Sequence, residues 1–169
     1  MKELKFLLIG DTSLNTSNLL DTYLWQLHFG YAYHDHIVQH RRYRITLYEI
    51  SSIEEFQQIL PVDNSEVICI CLLCFNIMQR RTFESIKYKW LRPVLDSSAK
   101  VFLVALQNNL KARLLTKLTP NNGNIKSIEI LNLCRNYDGR VGYLKCLNFD
   151  KKNVGKLFDK AIKKVLYSN

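Results

Sequence analysis

The chain has 169 residues, of which 47% are hydrophobic and 23% charged, and its formal net charge is +9. This size and composition predict one globular domain over residues 1–169 and exclude a disordered chain. No apolar run approaches the ~20 residues of a membrane-spanning helix, and the apolar part of the N-terminus is too short for a signal peptide. The charge permits an acidic partner, but basic residues are spread along the chain, so nucleic-acid binding is not expected.

Strand-like and helix-like patterns alternate along the chain. Apolar or alternating runs predict five strands, at residues 3–9, 42–50, 67–75, 100–106 and 142–147. Apolar residues at helical spacing predict four helices, from residue 13 or 15 to about 28 and over 82–95, 127–135 and 154–165. This order predicts an α/β domain with a mainly parallel sheet.

The five cysteines predict a reducing environment. Their odd number and their apolar surroundings favour core thiols over disulfides, and therefore an intracellular protein, cytoplasmic or nuclear. Cys69, Cys71 and Cys74 are spaced like metal ligands, but they lie in a continuous apolar run. Small buried thiols in a core strand are the favoured interpretation.

The segment after the first strand is similar to a phosphate-binding loop with two residues changed. Such loops read G-x-x-x-x-G-K-[ST], because backbone N–H groups cradle the phosphates and the lysine neutralises their charge. Gly10 and Ser17 match this pattern, whereas Asn15 replaces the second glycine and Thr16 replaces the lysine. Asparagine tolerates a left-handed backbone, so the shape of the loop can survive while its charge does not.

The order of elements resembles the Ras superfamily of small GTPases, and one helix narrows the resemblance to the Rho/Rac family. Residues 74–76 and 82–94 read CFN and TFESIKYKWLRPV, which is similar to the Rho/Rac pattern CFS…SFENVKxKWxPEV. LTP at 118–120, YLKC at 143–146 and VGKLFDKAI at 154–162 also look like their Rho counterparts. The resemblance implies a P-loop small-GTPase-like α/β fold, with a mainly parallel six-stranded sheet flanked by helices on both faces.

The resemblance also indicates which residues would contact a nucleotide, and several are changed. Ile53 stands where a glutamine orients the attacking water, and isoleucine cannot hydrogen-bond water. Asn109 stands where an aspartate accepts two guanine N–H donors, and Asn148 falls in a segment that contacts the base. No threonine stands where the first switch would contact magnesium.

These changes favour a catalytically inactive Rho-like pseudoGTPase that acts as a protein–protein interaction module. It would not be an enzyme, given the residues at Thr16, Ile53 and Asn109, and it would hold no cofactor and no metal. Its vestigial sites would be a phosphate loop of Gly10, Asp11, Asn15, Thr16 and Ser17 and a base site of Asn109 and Asn148. The alternative is a divergent guanine-nucleotide-binding switch, with weakly bound GTP or GDP and magnesium and little or no hydrolysis.

Aromatic and arginine residues are dense from Tyr23 to Tyr43, and these residue types dominate interface energetics. In Rho-like proteins this is the effector-facing side, so a protein partner is expected. The candidate contacts are Trp25, Phe29, Tyr31, Tyr33, Arg41, Arg42 and Tyr43. The alternative is that these rings pack internally. The four histidines at 28, 34, 36 and 40 lack a recurring ligand spacing, which favours an exposed polar loop over a zinc site.

Lysines give the last predicted helix a basic face, at positions 151, 152, 156, 160, 163 and 164. A solvated face is the expected interpretation, and contact with an acidic partner or anionic lipid is the alternative. The resemblance implies a lipidated cysteine after this helix. Residues 166–169 hold none, so membrane association is expected only if a further tail follows.

Overall fold

The computed structural model describes residues 2–11, 14, 19, 21–23, 33–38, 41–61, 66–107, 124–146 and 150–167. The strands in these ranges are β1 (Lys2–Ile9), β2 (Tyr33–Val38), β3 (Arg41–Ile50), β4 (Val67–Asn76), β5 (Lys100–Leu106) and β6 (Val141–Cys146). The helices are α1 (Ile53–Ile59), α2 (Arg80–Ser85), α3 (Leu91–Leu95), α4 (Ser127–Arg135) and α5 (Lys151–Tyr167). A π-helical turn, Ile86–Trp90, joins α2 to α3.

The six strands form one sheet in the order β2-β3-β1-β4-β5-β6. β2 runs antiparallel to β3, and all other neighbours are parallel. Helices pack on both faces, which confirms the predicted mainly parallel six-stranded α/β fold. β1 lies at the centre, where Ile9 at its end pairs with Ile50 of β3 and Leu73 of β4.

The sheet separates two hydrophobic clusters because successive side chains of a strand point to opposite faces. One cluster joins Phe6 and Leu72 to Phe158 of α5. The other joins Leu7 and Leu73 to the helices from α1 to α4. The cysteine prediction is confirmed for the strand residues, since the thiols at 69, 71 and 74 are buried and free.

Aromatic contacts hold α5 on its face of the sheet. The Phe158 ring stacks on Tyr23 at a centroid distance of 3.8 Å and meets the Phe6 ring edge-on at 5.0 Å. Tyr23 belongs to the helical residues that follow the loop after β1. Burial raises the pKa of the Tyr23 phenol, with a smaller contribution from Asp159. This aromatic group couples α5 to the segment that follows Gly10.

Two elements were not predicted from the periodicity of the sequence. β2 covers the segment expected as a polar histidine loop, because its backbone pairs with β3 along the sheet edge. α1 begins after Ser52, whose Oγ accepts a hydrogen bond from the Glu55 N–H at 3.1 Å. The Glu55 carboxylate accepts in turn from the Ser51 N–H at 2.9 Å. The Ser-x-x-Glu spacing was therefore an available signal for the start of this helix.

The helix predicted over 82–95 begins two residues earlier and is not α-helical throughout. The Leu91 N–H bonds to the Ile86 carbonyl five residues back, which defines the π-helical turn. Ile86 and Trp90 are both buried at its two ends. In the Lys-Trp pair that is similar to the Rho/Rac pattern, the Trp90 indole therefore lies in the core and Lys89 is exposed to solvent.

Candidate functional site

Several strands end at one edge of the sheet, and the chain turns there. Gly10 follows β1, Ser51 follows β3, and Gln107 follows β5. The Gln107 N–H donates to the Cys146 carbonyl at 3.1 Å, and the Ile77 N–H after β4 donates to the Leu106 carbonyl at 3.2 Å. These bonds continue the sheet past its last ladder pairs. Ligands of parallel α/β sheets bind beyond this carboxyl edge.

The turn after β1 is packed tightly against β4. A Cβ added at Gly10 would lie 2.9 Å from Leu14 Cδ1 and 3.1 Å from the Cys74 carbonyl oxygen. The Leu14 N–H donates to the Asp11 carbonyl at 2.9 Å, and the Leu14 side chain is buried. Gly10 and Leu14 are thus both held in place by packing, and only glycine fits position 10 without a shift of its neighbours.

A cation that the sequence interpretation did not single out lies beside this turn. Arg81 Nη2 of α2 is 3.8 Å from Asp11 Oδ2, and the Arg81 side chain is 82% exposed. The preceding Arg80 points elsewhere and donates to both Glu129 oxygens, at 3.0 and 3.1 Å. That pairing lowers the pKa of the Glu129 carboxyl. Consecutive arginines carry no positional signal in sequence, so only the fold distinguishes their roles.

The end of β3 supplies a carboxylate at the same edge. Glu49 is exposed near the end of β3 and aligns with the aspartate of the family's magnesium motif. The change from aspartate to glutamate retains the negative charge. The sequence prediction of a lost metal site did not take this retained carboxylate into account. Ile53, in the glutamine position, is partly buried and packs on the core cluster with Tyr48. Its aliphatic side chain therefore anchors the start of α1.

Most of the residues proposed from sequence lie outside the described residues. These are Asn15, Thr16 and Ser17 of the loop, Asn109 and Asn148 of the base site, and Trp25, Phe29 and Tyr31 of the partner surface. For Tyr33, Arg41 and Arg42 the structure gives the backbone alone, in β2 and β3. Within the described ranges, no group of three or more His, Cys, Asp or Glu side chains could hold a metal ion.

Tyr43 does not belong to an exposed partner surface. Its side chain is 6% exposed and joins the hydrophobic cluster under α5. Alternation along β3 places Tyr43 on the face of the sheet that α5 covers, whereas its neighbour Arg44 is exposed. The alternative of internal packing is correct for this ring.

A family model described as "Ras family" matches residues 5–167. The chain belongs to the Ras family. Its similarity to three named relatives identifies it as Rho-like. It is 24% identical to the Ras-like GTP-binding protein RhoL of Drosophila melanogaster over 97% of this chain and 87% of that protein. It is 28% identical to the GTP-binding protein RHO3 of Saccharomyces cerevisiae over 71% of this chain and 57% of that protein.

A third relative is the Rho-related protein racC of Entamoeba histolytica, which is 24% identical over 75% of this chain and 66% of that protein. The Ras-family model and the Rho-like relatives confirm the resemblance drawn from the Lys-Trp helix. For RHO3 the chain spans little more than half of the relative's length. Proteins of this Rho-like kind act with protein partners.

Two expectations drawn from the changed motifs are wrong. The chain was expected to hold no cofactor and not to be an enzyme, but it is a Ras-family protein whose relatives RhoL and RHO3 are named GTP-binding proteins. The Ras family is a family of GTPases. The physical reason is that loss of a side chain lowers the affinity for nucleotide but leaves the backbone N–H groups, which also bind phosphate.

The described residues fit a magnesium-bound nucleotide at the carboxyl edge. Gly10 lies at the carboxyl end of β1, where the phosphates would bind, and Glu49 offers an oxygen ligand of the kind that magnesium prefers. When bound, the ion would neutralise phosphate charge. By alignment, the Ser17 hydroxyl and the loop N–H groups would complete the binding set.

Proposed function

We propose that this protein is a Rho-like guanine-nucleotide-binding switch with slow intrinsic hydrolysis. The observation that carries the proposal is the close packing of Gly10 against Cys74 and Leu14 at the carboxyl edge that also holds Glu49. The Ras-family match over residues 5–167 supports the assignment of that turn to nucleotide. Free buried thiols suit a reducing compartment, so we place the protein in the cytoplasm or nucleus.

The proposed chemistry follows from this chain's own side chains. Loop N–H groups and Ser17 would hold the phosphates and magnesium, with Glu49 as a further oxygen ligand. Water would be positioned poorly, because Ile53 offers no hydrogen-bonding atom and turns into the core. Slow hydrolysis would keep the nucleotide-bound state long-lived. We also infer that a protein partner reads this state through the surface around β2 and the aromatic and arginine residues between 25 and 42.

Replacing Ile53 with glutamine is expected to raise the single-turnover rate of GTP hydrolysis about tenfold or more. A carboxamide at this position can orient the attacking water, and positioned proton-transfer or water-orienting groups contribute factors of roughly 10²–10⁴. The rate is measured as phosphate release from protein loaded with GTP and magnesium.

The control variant is Ile59→Gln, since Ile59 lies on the same helix and also packs partly on the core. It should lose similar packing without gaining hydrolysis. Equal rates in wild type and Ile53→Gln, or the same increase in both variants, would contradict the proposed role of position 53.

A further inference from the structure

The outer face of α5 carries a row of lysines with few compensating charges. Lys152, Lys156, Lys160 and Lys163 are all exposed, and these four residues form the lysine row. At 3.6 residues per turn they fall within an arc of about 80°, and they extend along about 16 Å of the helix. Asp159 is the only acidic residue within α5.

The lysine row is held in place by the opposite face of the helix. Val154, Phe158 and Ala161 are fully buried in the cluster beneath α5. The helix therefore cannot roll to bring its lysines to carboxylates elsewhere in the fold. Lys164, beside the row, instead directs its Nζ toward the Tyr143 carbonyl at 3.5 Å. The row is presented outward at fixed spacing.

Intramolecular interactions do not account for the lysine row. In the described part of the chain, none of its ammonium groups lies within ion-pair distance of a carboxylate. Lysines four residues apart on a helix repel one another, as do Lys152 with Lys156 and Lys156 with Lys160. Asp159, three residues after Lys156 and four before Lys163, offsets part of this repulsion, and the row keeps a net positive charge that can meet an external anion.

We propose that the lysine row binds the surface of an anionic lipid bilayer. Because the four lysines lie along one side of a straight helix, all four ammonium groups can contact a flat bilayer surface at the same time. Lysine is a compact point charge on a flexible stem, which suits lipid phosphates and carboxylates without directional pairing. Tyr167 ends the helix on the same side with 43% of its side chain exposed, and tyrosine is favoured at the headgroup level of membranes.

The contact is peripheral. No helix in the described ranges has the length and apolar character required to cross a membrane. Binding through the lysine row needs no nucleotide and no residue of the carboxyl-edge site, because α5 and that edge use different side chains. It would place α5 against the bilayer and leave the helices on the other face of the sheet directed away from it.

The test is cosedimentation of the full chain with vesicles of equal parts phosphatidylcholine and phosphatidylserine, and with vesicles of phosphatidylcholine alone. Wild type should bind the first and not the second, and high salt should release it. The variant Lys156→Gln/Lys160→Gln should bind about 25-fold more weakly, since each lysine near an anionic surface contributes about a fivefold factor.

The matched control is Lys87→Gln/Lys89→Gln, which removes the same charge from exposed lysines on the opposite side of the sheet. It should bind like wild type, and circular dichroism should show both variants folded. Equal losses in the two variants would assign binding to net charge and overturn the proposal. Absence of vesicle binding would overturn it, as would preferential binding of the wild type to duplex DNA over anionic vesicles.

Discussion

Replacing Thr16 with lysine is expected to tighten GTP binding by about a hundredfold. By alignment this position holds the lysine that faces the β- and γ-phosphates in a working loop. A hydrogen bond to a charged group contributes roughly 1.5–3 kcal/mol, which corresponds to about a 10- to 150-fold change in affinity. The measurement is an equilibrium titration of each protein with GTP, GDP and GMP in the presence of magnesium.

The dependence on phosphate number separates this effect from general attraction of anions. The gain in Thr16→Lys should be largest for GTP and small for GMP. The control is Ser98→Lys, which adds the same charge at an exposed position before β5, at the opposite edge of the sheet. A gain that is equal for the two variants, or equal for GTP and GMP, would contradict the assignment of residues 10–17 as the phosphate loop.

Replacing Phe158 with alanine is expected to lower the free energy of unfolding by about 4 kcal/mol, within the usual range for a phenylalanine-to-alanine change in a core. The Phe158 side chain is fully buried and contacts both Tyr23 and Phe6. Its removal leaves a cavity between α5, the sheet and the helical residue Tyr23. Denaturant unfolding followed by circular dichroism measures the change.

Two further variants make the result specific to packing. Phe158→Leu keeps most of the apolar volume and should lose less than about 1.5 kcal/mol. Tyr88→Ala removes a ring that is 74% exposed, and should change stability by no more than about 0.5 kcal/mol. A loss below about 2 kcal/mol for Phe158→Ala would show that the contacts around this ring are not tight in solution.

The sequence predicts those helices and strands whose own residue pattern is sufficient to specify their conformation. β4 and β5 are continuous apolar runs because helices cover both of their faces, and their bounds were predicted to within one residue. β2 was missed because its sequence is polar, and its conformation comes from pairing with β3. α1 was missed because it is short and only Phe56 is fully buried, although its capping residues were visible.

The site was harder to interpret than the fold because its binding groups are partly backbone. The residues at positions 16, 53 and 109 show which side-chain interactions have been lost, but they do not report on amide groups that would contact phosphate. Reasoning from the side chains alone led to a protein without cofactor, which membership in a family of GTP-binding relatives overturns. Glu49 and Arg81 were not singled out because only the fold places their side chains at or near the carboxyl edge.

The central claim is that this chain binds a guanine nucleotide at the edge where Gly10 and Glu49 lie. Titration calorimetry of the purified wild-type protein with GTP, in magnesium and then in excess chelator, tests it most directly. We expect saturable binding of about one nucleotide per chain that weakens when magnesium is removed. Absence of heat and of any thermal shift at millimolar GTP, GDP and XTP would contradict it.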